Sequence, residues 1–87
     1  MDIAEIKKLV NNVLIDEFEK DEKELNENAS LVDDLDLDSL DGIDLIVALE
    51  KSVKSKTGKD FKIEEEKAKK IQKVGDIYKT IDELINK

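Results

Sequence analysis

The residue types that could do chemistry sit in one run, Leu35-Asp36-Leu37-Asp38-Ser39-Leu40-Asp41-Gly42-Ile43-Asp44. Directly after Ser39 the apolar residues Leu40, Ile43, Ile46, Val47, Leu49 and Val53 recur at helical spacing. Asp38 is therefore placed as an N-cap, with Ser39 at the first helical position and Asp41 at the third. A capping carboxylate satisfies one orphan N–H by itself, which leaves the hydroxyl of Ser39 free. At a helix start, unpaired N–H groups and the positive end of the dipole favour an anion. The position suits a phosphate ester and is poor for a nucleophile, which needs a base beside it.

The rest of the inventory argues against catalysis. The 87 residues contain no Cys, so there is no thiolate nucleophile, disulfide or zinc-thiolate site. No His is present either, which removes the most frequent general base. All fifteen basic residues are Lys, so no guanidinium fork can clamp a phosphate or carboxylate. A chain this short makes one small domain, residues 1–87, burying roughly 60–65% of the surface its unfolded form exposes. No deep, rigid substrate cavity is expected.

Net charge is −8, unevenly spread. Residues 16–44 hold thirteen acids against Lys20 and Lys23, whereas residues 51–73 hold nine Lys against Asp60, Glu64, Glu65 and Glu66. Such a domain repels nucleic acid and anionic lipid, and its natural complement is a basic protein surface. The longest apolar run, Leu45 to Leu49, is far short of a membrane span, and no signal-peptide pattern opens the chain. A cytoplasmic monomer is expected.

Four helices must position the central run. Asp2 and Glu5 form a capping pair, and Ile3, Ile6, Leu9, Val10, Val13, Leu14 and Phe18 trace one face of a helix over residues 3–19. Ile15 falls off that stripe and is expected exposed. Residues 20–37 form a charged segment with isolated Leu25, Leu31, Val32, Leu35 and Leu37, either disordered or an ordered crossover. The second helix spans residues 39–54, with Gly58 as its stop. A short third helix spans 63–71, with Glu64, Glu65 and Glu66 in its first turn. The fourth begins near Val74 and carries Val74, Ile77, Tyr78, Ile81, Leu84 and Ile85 on one face. Together these predict an all-α fold: a small four-helix bundle with a long first loop and a short third helix.

The run Asn28-Ala29-Ser30-Leu31-Val32-Asp33-Asp34-Leu35…Asp38-Ser39-Leu40-Asp41…Leu49-Glu50 resembles the acyl carrier proteins. So does the later Glu65-Glu66-Lys67-Ala68-Lys69-Lys70-Ile71 with Val74-Gly75-Asp76, so the likeness covers nearly the whole chain. The resemblance implies a 4′-phosphopantetheine arm on Ser39, added by a separate phosphopantetheinyl transferase. It implies acyl groups carried as thioesters to acyl-transfer and chain-elongating enzymes of fatty-acid or related biosynthesis, without catalysis by the chain itself. It also implies that residues 20–37 are ordered.

By residue, the resemblance makes Asp38, Asp41, Asp44 and Glu50 acids that meet basic docking patches on those enzymes. Periodicity alone assigns Leu31, Leu35, Ile43, Val47, Leu49, Ala68, Ile71 and Tyr78 to the core, and the resemblance implies that these positions also open to shelter an acyl chain. Three departures stand out. Lys51 replaces an acid, Asp36 stands where a glycine is common, and residues 51–62 make a longer, more basic turn. Gly42 costs a helix interior about 1 kcal/mol relative to Ala. It is read either as an exposed site without a role or as room for close approach of a partner or the arm.

Two other classes compete. One is a specialised carrier of polyketide or aminoacyl units; the other is an acidic helical interaction module without a prosthetic group. A calcium loop fails on register. With Gly42 as sixth residue, positions one, three and five are Leu37, Ser39 and Asp41, and the twelfth, which should be a bidentate Glu, is Ala48. Only loose divalent binding to the acidic cluster is expected.

Overall fold

The computed structural model describes residues 2–86, the side chain of Ser39 excepted. Four helices run in the order α1 (Ile3–Phe18), α2 (Ser39–Thr57), α3 (Glu65–Lys69) and α4 (Val74–Ile85), with a single 3-10 turn at Glu22–Glu24. Among the described residues there is no strand, only an isolated bridge between Ser30 and Lys73. The all-α expectation holds.

Local chemistry sets most of the boundaries. The Asp2 carboxylate accepts the Glu5 N–H at 2.8 Å and opens α1, and Glu19 closes it in the left-handed region at φ 54°. At the far end of α2, Gly58 adopts φ 74°, and its N–H donates to the Lys54 carbonyl at 2.7 Å. Glycine occupies that conformation without a Cβ penalty. The helix runs three residues beyond the expected 54, up to this stop.

The core is shared by α1 (Ile6, Val10, Val13, Leu14), α2 (Leu45, Leu49, Val53) and α4 (Val74, Ile77, Tyr78, Ile81), with α1 packed on both partners. The sequence-based assignment of α2's buried face needs correcting. Leu40, Ile43 and Val47 are exposed, at 72%, 61% and 42%, while Leu45, absent from the expected stripe, is buried. Ala68 and Ile71, expected in the core, are only half-buried at its edge, whereas Leu31, Leu35, Leu49 and Tyr78 are buried as expected. Ile15 is half-buried against the core, and Ile3 is exposed.

Residues 19–38 are an ordered crossover. Leu25, Ala29, Leu31, Leu35 and Leu37 are buried, so the isolated apolar points of the sequence are its anchors. Backbone bonds staple it to the start of α4: Leu31 N–H to the Gln72 carbonyl, Val74 N–H to Ala29, and Gly75 N–H to Glu27. The last approach leaves no room for a side chain, since a Cβ on Gly75 would stand 2.9 Å from the Glu27 carbonyl oxygen.

α3 is five residues long and starts later than expected. Ile63 is not helical; it is buried, with its N–H donating to the Glu50 carboxylate of α2 at 2.8 Å. That bond holds the approach to α3 against the body, so Glu64 becomes the residue before the helix, with Glu65 and Glu66 in its first turn.

Candidate functional site

The start of α2 is fixed from both sides. Leu37 is buried, and its N–H donates to the Leu31 carbonyl at 2.8 Å, so the chain enters the helix from a pinned point. Asp38 follows in extended conformation. Its carboxylate accepts the Asp41 N–H at 2.9 Å, and the Asp41 carboxylate accepts the Asp38 N–H at 3.2 Å. This reciprocal capping box satisfies two donors that a helix start otherwise leaves unpaired. Ser39 is thereby the first helical residue, as expected. The free hydroxyl expected of it lies outside the described residues.

The loop before the cap is braced within itself. Ser30 N–H donates to the Asp34 carboxylate at 2.7 Å, Asp33 N–H donates to Ser30 Oγ at 3.1 Å, and the Asp34 and Leu35 N–H groups both reach the Ser30 carbonyl. Asp36 then turns the chain with φ 53°. That left-handed conformation favours glycine, then Asn and Asp, which accounts for an aspartate standing where the resemblance places a glycine.

Beside this start opens a cavity of about 920 Å³. Its lining includes Asp38, Gly42 and Ile43 from α2 and its cap, together with Leu31, Ile63, Ala68 and Ile71. Of the residues expected to shelter a chain, Leu31, Ile43, Val47, Ala68 and Ile71 line it, whereas Leu35, Leu49 and Tyr78 belong to the core away from its wall. Sequence reasoning missed Val32, Leu37, Leu45, Ile46 and Ile63, which line the cavity too. Their apolar character was legible, but their convergence needs α2, the crossover and the stretch before α3 brought together. A Cβ on Gly42 would meet nothing within 4 Å, so no neighbour in the fold demands that glycine.

The acids of α2 divide. Asp44 is exposed and takes part in no hydrogen bond or ion pair of the described residues. Asp38 and Asp41 hold the cap, while the half-buried Glu50 holds Ile63. Among the described residues, no cluster of three or more carboxylates is placed to hold a metal ion.

Titration is perturbed elsewhere, where α1, the crossover and α4 meet. Lys7 and Glu27 pair at 2.8 Å, raising the Lys7 amine and lowering the Glu27 carboxyl through their mutual hydrogen bond. Burial pushes the Tyr78 phenol up, opposed by the bond its hydroxyl donates to Asn11. These contacts tie elements together and lie outside the cavity wall.

Known proteins are similar to this chain in sequence. The family model described as "Phosphopantetheine attachment site" matches residues 8–60, from within α1 through the whole of α2. The chain is 40% identical over 68 residues to the acyl carrier protein of Chlamydia felis, covering 78% of this chain and 80% of that one. It is 33% identical over 83 residues to the acyl carrier protein of Phenylobacterium zucineum, covering 95% and 98%. With that of Caulobacter vibrioides it shares 35% identity over 81 residues, covering 93% and 96%. A capped helix start beside an apolar cavity, in a chain matching these relatives over 80–98% of their length, leads to one family: the chain belongs to the acyl carrier proteins, which have the phosphopantetheine attachment domain.

Proposed function

We propose that Ser39 is the attachment residue for 4′-phosphopantetheine and that the chain presents acyl groups to fatty-acid or related biosynthetic enzymes. The observation that carries this reading is the position of Ser39, first in a helix whose start is pinned by Leu37 and capped by Asp38 and Asp41, with Asp38, Gly42 and Ile43 around it lining an apolar cavity. When attached, the group supplies a terminal thiol that holds an acyl group as a thioester. The surroundings fit it: the adjoining residues Leu40 and Ile43 are exposed, and Gly42 lines the cavity without a side chain.

The protein's own residues then have three tasks. Leu37, Asp38 and Asp41 hold the attachment point in register. Leu31, Ile43, Val47, Ala68 and Ile71 offer an apolar wall that shields a chain from water. Leu40 and Ile43, flanked by Asp41 and Asp44, present a mixed apolar and acidic surface to enzymes with basic docking patches. Glu50, which bonds Ile63, acts in this reading by holding the cavity wall rather than by meeting partners. Catalysis stays with those partners, among them a phosphopantetheinyl transferase; the chain works as a cytoplasmic monomer. Among the described residues, no helix is long and apolar enough to cross a membrane.

The test is intact mass after incubation with coenzyme A and a broad-range phosphopantetheinyl transferase. The wild type should gain the mass of one arm and Ser39→Ala none. An unmodified wild type, under conditions that load a control carrier, returns the chain to the interaction-module reading.

A further inference from the structure

The acidic, apolar start of α2 has an opposite at the other end of the same helix. There a second, smaller cleft of about 220 Å³ is lined by Glu50, Lys51, Lys54, Asp60, Phe61 and Lys62. The cleft shares Glu50 and Lys62 with the large cavity. We propose that it is a docking site for an acidic loop of a partner protein, which binds there whether or not Ser39 carries an arm.

The charge of the cleft supports this. Between residues 51 and 62 five lysines face a single acid, Asp60. Both acids of the cleft are engaged: Asp60 pairs with Lys54 at 3.0 Å, and Glu50 accepts the Ile63 N–H. Lys51 and Lys62 are exposed, and among the described residues no carboxylate pairs with either. Three lysines against Glu50 and Asp60 leave the cleft one positive charge in excess, and Lys51 and Lys62 stand beside an apolar surface supplied by Phe61, which packs against the core and is half-buried. A carboxylate with a neighbouring apolar side chain complements that combination, and a cleft of this size takes one or two side chains.

The choice of a protein loop over other anions follows from scale. Asp41 and Lys54 are about 20 Å apart along the axis at 1.5 Å per residue. The Debye length at physiological salt is about 8 Å, so the two ends of α2 act as separate electrostatic sites. A lipid bilayer or nucleic-acid duplex is an extended polyanion. Against a molecule measuring 31 × 25 × 20 Å with net charge −8, such a polyanion is repelled by the charge of the whole domain. A local acidic loop is small enough to engage Lys51, Lys54 and Lys62 within this cleft.

The experiment uses the full, isotope-labelled chain without the arm. It is titrated with a synthetic peptide of Asp and Glu residues around one Phe, at about 20 mM and about 150 mM salt. A second titration uses the same peptide with Gln and Asn in place of the acids, and a third uses vesicles of mixed phosphatidylserine and phosphatidylcholine. The acidic peptide should give saturable amide shifts at residues 51–54 and 60–63, several-fold weaker at the higher salt. Lys51→Glu with Lys62→Glu should weaken binding at least tenfold while the melting temperature and remaining spectrum hold. Lys51→Gln with Lys62→Gln should fall between the two. Ser39→Ala should bind like the wild type, which separates this site from the attachment reading. No saturable shift at millimolar peptide overturns the proposal, as do equal binding of the amide peptide, preference for vesicles, or wild-type binding by the charge-reversed variant.

Discussion

Helix α2 carries two apolar faces of nearly equal character and opposite fate. Leu45, Leu49 and Val53 are buried, whereas Leu40, Ile43 and Val47 stand exposed along the same helix. Full burial of such a side chain contributes about 1.5–3 kcal/mol. The outer face forgoes that gain and, left to itself, would be a site of association. Asp41 and Asp44 interleave with it, keeping the apolar surface broken by charge. One face of α2 therefore holds the fold together, while the other stays exposed, with Ile43 and Val47 lining the cavity.

That division can be broken by measurement. Leu49→Ala should cost about 2–5 kcal/mol, because the core cannot fully collapse into the space. Ile43→Ala should stay within about 0.5 kcal/mol, as exposed substitutions do. Urea melts of the two variants, side by side, decide the point: equal losses would mean that the outer face is also structural.

Next in size is the cap that sets where both faces begin. Asp38→Ala should lower stability by about 1 kcal/mol, and Asp38→Asn should retain most of it, since Asn caps nearly as well. Thermal melts of the pair would show whether capping geometry or the charge itself holds the start of α2.

Gly42 sharpens the comparison from the other direction. Because a Cβ there meets nothing within 4 Å, Gly42→Ala should raise stability by up to about 1 kcal/mol. A gain in chemical denaturation, together with slower loading at Ser39, would show that the glycine serves the open face. A loss of stability would mean that the open face makes contacts that hold the fold.

The smallest expected effect on stability concerns Asp44, the outer-face acid free of capping duty. Asp44→Lys should leave the melt within about 0.5 kcal/mol of wild type. It should slow loading by a basic-faced transferase several-fold at low salt, the gap closing as salt screens the encounter. Loading at the wild-type rate in low salt would remove Asp44 from recognition. Asp41 is a poorer probe, because its carboxylate also accepts the Asp38 N–H.

What could be read from the sequence was whatever depends on neighbours within one helical turn. The Asp38 cap, the Asp2 cap, the Gly58 stop and the place of Ser39 each rest on contacts spanning three or four residues. Short-range chemistry of that kind is written in order along the chain. Tertiary structure alone decided which face of α2 is core, because the 40-43-47 and 45-49-53 sets both satisfy helical spacing and only the packing of α2 on α1 distinguishes them. It also shortened α3, since the bond from Ile63 to Glu50 spans thirteen residues and has no local signature. The crossover was ordered in the same way. Its leucines were legible as points, but the bonds that hold it reach from residues 27–31 to residues 72–75, across the whole of α2. Helical periodicity records that a residue can be buried; what covers it depends on parts of the chain far away in sequence.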